Sequence, residues 1–104
     1  MENKINVAAV QMYVTKSQKE NLKIMEEHLA HIHKVFSHID MVIFPELSPM
    51  NIGSKIEKNS QTIPGELTKI FSNWAKKYKL WIIPGSMYET ADNKIYNTTP
   101  VFSP

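Results

Sequence analysis

The sequence predicts an α/β fold in which short buried strands alternate with amphipathic helices. Three observations predict it. The runs "INVAAVQM", "MVIF" and "LWIIPGS" are apolar on both alternating faces, as strands covered on both sides are. The stretches "SQKENLKIMEEHLAHIHKVF" and "PGELTKIFSNWAKKYK" repeat apolar residues at helical spacing. The two kinds of run alternate along the chain, which favours parallel strands joined by helical crossovers.

The first strand starts at Ile5, with Ile5, Val7 and Ala9 on one face and Ala8, Val10 and Met12 on the other. Ser17 with Glu20 three residues on has the pattern of a capping box, which opens the first helix. Leu22, Met25, Leu29, Ile32 and Phe36 form its inner stripe, and the helix is expected to end near Ser37. "MVIF" is the second strand. Residues 48–63, with Pro49 and Gly53, read as an irregular loop. The second helix follows, with Leu67, Ile70, Phe71, Trp74 and Tyr78 inward. Lys76, Lys77 and Lys79 suit the negative end of its dipole. "LWIIPGS" is a third strand, "ETADNK" a turn and "IYNTTPVF" a fourth strand, giving the order β-α-β-α-β-β. Pro100 makes that last strand an edge or ends its pairing.

A chain of 104 residues is one domain or part of one, and 42% hydrophobic residues are too many for disorder. Net charge is +2. All 12 basic residues are lysine, scattered along the chain, so bidentate reading of phosphates or guanines is unavailable and no nucleic-acid partner is expected. No apolar run approaches the ~20 residues of a spanning helix, so no membrane partner is expected either. The absence of cysteine excludes disulfides and thiolate metal sites, and suits a cytoplasmic location.

The candidate site is Glu46. It follows "MVIF" directly, behind Pro45, where ligands sit in open α/β sheets: outside the carboxyl end of a strand. The proline stiffens the backbone there. A carboxylate so close to a core needs a polar partner, and a rigid, partly desolvated carboxylate suits a general base. The plainer reading is a solvated loop acid. His28, His31, His33 and His38 spread around the helix and make a poor metal site. Gly53, Gly65 and Gly85 form no phosphate-binding pattern. Ser86 lacks the G-x-S-x-G setting of a nucleophile and reads as a backbone cap or pocket wall. Trp74 and Trp81 fall on stripes expected to face the core.

Taken in order, "INVAAVQM", "NLKIMEEHLAHI", "MVIFPEL", "IPGELTKIFSNWAKKYKLWIIPGSMYE" and "IYNTTPVFSP" resemble the N-terminal part of the nitrilase superfamily, the carbon–nitrogen hydrolases. The resemblance implies that residues 1–104 are the N-terminal portion of such a domain, within an α-β-β-α sandwich. It implies a small-molecule amide or nitrile substrate, a homo-oligomer, and no metal or organic cofactor. It also implies a Glu-Lys-Cys mechanism with Glu46 as the base. The family's lysine and cysteine have no counterpart here: there is no cysteine, and no lysine follows "YNT". Lys55 and Lys58 stand where the family keeps no catalytic lysine. The chain by itself is therefore expected to be inactive. The rival readings are a non-catalytic α/β ligand-binding or assembly module and a degenerate half that keeps only assembly surfaces.

Overall fold

A computed structural model describes residues 3–51, 53 and 55–104. Ile52 and Ser54 of the expected loop lie outside the described residues, as do Met1 and Glu2. The elements are β1 (Val7–Ala9), α1 (Gln18–Val35), β2 (Met41–Ile43), α2 (Ile56–Asn59), α3 (Glu66–Tyr78), β3 (Trp81–Ile83), β4 (Met87–Ala91) and β5 (Lys94–Thr98).

The first three strands form a parallel sheet in the order β1-β2-β3. The register places Ala8, Val42 and Ile82 in one row across it. Val42 and Ile82 are fully buried, under a layer made by both long helices. Met25, Leu29 and Ile32 of α1 join Leu67, Phe71, Trp74 and Tyr78 of α3 in the same core. The apolar stripes of both helices thus pack inward as their spacing predicts, with Leu22 and Ile70 half-buried, except at Phe36, which lies past the end of α1 and is 45% exposed. Between the end of α3 and the middle of α1, Tyr78 Oη donates to Glu26 Oε2 over 2.7 Å and Lys77 Nζ donates to the same oxygen over 3.1 Å.

The opposite face of the sheet is different. Because strand side chains alternate, Val7, Met41 and Trp81 form a row there, and Ala9, Ile43 and Ile83 a second. Val7 is 44% exposed and Trp81 42%. Trp81 is therefore not a core residue as its stripe suggested. Its neighbour Ile82 takes the inward position, and strand alternation sends Trp81 outward. Trp74 does pack inward, edge-on to Phe71 at 5.4 Å between ring centres.

Several boundaries move. Helix α1 stops at Val35, with Phe36 as its cap. Ser17 Oγ accepts from Glu20 N as expected, but the return half of the capping box is absent. Ser17 N donates to Thr15 Oγ1 instead, over 3.1 Å. The expected loop contains the single helical turn α2. The segment read as a turn, "ETADNK", is mostly strand: Glu89, Thr90 and Ala91 close β4, and only Asp92 and Asn93 turn, at φ 51° and 59°. β4 and β5 form an antiparallel hairpin, separate from the parallel sheet. Beyond Pro100 the chain returns to it, where Phe102 and Ile82 exchange two backbone hydrogen bonds of 2.9 Å.

Candidate active site

The site is built at the carboxyl end of β2, the central strand. Hydrogen bonding on β2 continues past its last residue: Val10 N donates to Ile43 O and Phe44 N to Ile83 O. Phe44 is buried and anchors the strand end. The chain then turns over Pro45–Ser48, with Ser48 N donating back to Pro45 O over 3.2 Å and Ser48 Oγ donating to the same oxygen over 2.6 Å. Glu46 occupies the first corner of this turn. Leu47 takes the second at φ 58°, a left-handed conformation that costs a bulky residue about 1–2 kcal/mol. Surrounding contacts hold that strain in place. Leu47 N donates to Ser86 Oγ over 3.1 Å. Gly85, at φ +84°, lies so close beneath the turn that a Cβ there would sit 1.9 Å from Pro45 O.

Ser86 is thus the backbone cap and pocket wall that its surroundings suggested, bonded to the turn that carries Glu46. A second clamp secures the next stretch of chain. Asn21 is completely buried, and its side chain uses all its hydrogen-bonding capacity. Oδ1 accepts from Thr15 N and Thr15 Oγ1, while Nδ2 donates to Thr15 O and Met50 O. Asn21 thereby ties the loops after β1 and β2 to the start of α1.

Glu46 itself is exposed, so the expected partial desolvation is not present in this chain. It stands at a cleft of about 290 Å³ lined by Ile43, Phe44, Ile83, Gly85, Ser86, Asn97 and Thr99. Its lining combines apolar Ile43, Phe44 and Ile83 with polar Ser86, Asn97 and Thr99. Glu46 Oε2 accepts from Asn97 Nδ2 over 3.2 Å. Sequence reasoning missed this partner. The only signal was the "YNT" run of the last strand, whose meaning depends on how the hairpin folds back. Lys55 and Lys58 are exposed, and among the described residues neither bonds to Glu46.

The histidines lie elsewhere. His33 Nδ1 shares a hydrogen bond with Tyr78 O, and His31 and His38 stand edge-on to Phe36. Among the described residues no three His, Asp or Glu side chains converge as metal ligands. Among the described residues no helix is long and apolar enough to cross a membrane.

The carbon-nitrogen hydrolase family model matches residues 6–104, nearly the whole chain. The chain belongs to this family. Within it, the chain is 33% identical to omega-amidase NIT2 of Danio rerio over 98% of its own length and 36% of that relative. It is 31% identical to omega-amidase NIT2 of Xenopus tropicalis, over 97% of its own length and again 36% of the relative. Hydrolase C26A3.11 of Schizosaccharomyces pombe is 30% identical, with 94% and 31% covered. Among solved structures, Saccharomyces cerevisiae Nit3, a member of branch 10 of the nitrilase superfamily, superposes with a TM-score of 0.77 at 22% identity, covering 95% of this chain and 40% of that one. That likeness shows the fold: this chain is an α/β unit corresponding to part of the α-β-β-α sandwich. The chain spans about a third of the length of the curated relatives it matches.

Proposed function

We propose that residues 1–104 form the N-terminal portion of a cytoplasmic, homo-oligomeric carbon–nitrogen hydrolase domain, and that Glu46 is the base of a Glu-Lys-Cys mechanism acting on a small amide or nitrile. The observation that carries this reading is the support given to Glu46. Three separate contacts, from Ser48, Ser86 and Gly85, hold the backbone turn that presents one carboxylate at the mouth of the central strand. A surface acid with no task has no need of a strained and cross-braced turn.

The chemistry follows from the groups. Glu46 takes the proton of a cysteine thiol, and the thiolate attacks the amide carbon. A lysine and backbone N–H groups stabilise the oxyanion that develops. The protonated Glu46 returns its proton to the departing nitrogen, and ammonia or an amine leaves a thioester. Glu46 then draws a proton from water, which attacks the thioester; the acid is released as the sulfur leaves and takes that proton back from Glu46. The thiol and the lysine come from sequence outside these 104 residues. Exposed here, Glu46 becomes desolvated when that further segment and the substrate cover the cleft. The names of the omega-amidase relatives favour an amide over a nitrile.

The test is turnover by the full-length protein that carries this segment, read as ammonia release from short amides. Glu46→Gln keeps the shape and removes the base, and should cost ~10²–10⁴-fold in kcat with folding little changed. Near-normal turnover by that variant would remove the catalytic role from Glu46.

A further inference from the structure

We propose that Asn97 is the positioning residue of Glu46: it pins Oε2 and so leaves Oε1 as the oxygen that takes the proton. This rests on the reading of Glu46 as the base. A carboxylate can only accept, so the Asn97 amide must present its NH2 group, and Nδ2 lies 3.2 Å from Oε2. With one oxygen engaged, rotation of the carboxylate about its terminal bond is restricted, and the free oxygen holds one orientation over the cleft that Asn97 also lines.

The placement of Asn97 is determined by its element. In the hairpin it stands opposite Tyr88. The two-residue turn at Asp92 and Asn93, both at positive φ, sets that register. A slip of one residue would send Asn97 to the other face. The hairpin is itself tied to the site at one point and to the chain before α3 at another. Ser86, just before β4, accepts from Leu47 N. Farther along, Gln61 N donates to Tyr88 O and Thr90 N donates to Gln61 O. The side chain of Asn97 makes no hydrogen bond within the hairpin among the described residues, whereas Thr98 beside it donates to Glu89 Oε1. A merely structural asparagine would be expected to bond to its own strands, and this one bonds across to Glu46.

Kinetics of the full-length protein test the proposal with Asn97→Asp, Asn97→Ala and Glu46→Gln. Asn97→Asp keeps the shape but replaces the donor with a second negative charge. Hydrogen bonds to charged groups have a worth that corresponds to about tenfold to a hundredfold in rate. Both Asn97 variants should lose kcat by that much with KM little changed. The acidic limb of the kcat–pH profile should move to higher pH in Asn97→Asp and less in Asn97→Ala, because a neighbouring carboxylate opposes ionisation of Glu46. If Asn97→Asp misfolds by its melting curve, Asn97→Ala decides alone. Unchanged kcat and an unmoved acidic limb in a folded Asn97 variant, while Glu46→Gln is inactive, would overturn the positioning role and leave the base intact. An active Glu46→Gln would overturn both.

Discussion

At the scale of single residues, the site depends on a glycine as much as on its glutamate. Gly85 is favoured twice over: its φ of +84° is one that residues with a side chain rarely adopt, and an added Cβ would meet Pro45 O. That oxygen is backbone, so it cannot swing aside. Gly85→Ala should therefore destabilise the chain by at least about 2 kcal/mol, through left-handed strain and displacement of the Pro45–Ser48 turn. Urea unfolding of the full-length protein would read it as a lower midpoint, with activity falling further than stability alone explains. A variant of wild-type stability would show that the turn gives way easily. Glu46 and Ser86 were legible in the sequence because a charge or hydroxyl directly after an apolar run is a local signal. Asn97 was not, since it lies 51 residues from its partner and only the hairpin register brings the two together. Trp81 was misread because a run apolar on both faces does not say which parity faces the helices.

Among elements, the helices were the most legible part, because a stripe at period 3.6 survives errors in any one residue. The hairpin was the least. Glu89 and Thr90 are polar and precede a tight Asp-Asn turn, so composition extended the turn backwards into β4. Packing of α1 on α3 has a polar clasp whose behaviour with pH can be stated. The carboxyl of Glu26 lies below its ordinary value of 4.5, chiefly because Tyr78 Oη donates to it, with Lys77 adding to the effect. A carboxylate with a depressed value in the folded state contributes stability that is present above its unfolded value and lost as pH falls through the folded one. The Glu26 side chain is 36% exposed, so solvent screening keeps the contribution below about 1 kcal/mol. Thermal melts should show a modest loss between about pH 4.5 and more acid conditions, and Tyr78→Phe should flatten that part of the curve. An identical acid limb in wild type and Tyr78→Phe would mean that the clasp is not formed in solution.

On the scale of the whole molecule, the two faces of the parallel sheet decide how the chain behaves. Both long helices cover the face that carries Val42 and Ile82. The other face presents Val7 and Trp81, with Ile5 beside them at 55% exposure and Met41, Ile43 and Ile83 half-buried. The described residues of the loop after β2 lie elsewhere: Met50 is buried in the helix-covered core and Gln61 pairs with the hairpin. Each large apolar side chain left in water forgoes ~1.5–3 kcal/mol relative to burial. A few of them rival the ~5–15 kcal/mol by which a domain is stable. A self-contained binding module would have no reason to leave a sheet face apolar and open, whereas one portion of a two-sheet hydrolase domain would. Sedimentation velocity of the 104-residue chain over a range of concentrations separates the two most directly. The chain should self-associate increasingly with concentration, and less when Trp81 and Val7 are replaced by polar residues. A single monomeric species at every concentration would contradict it and favour the self-contained module.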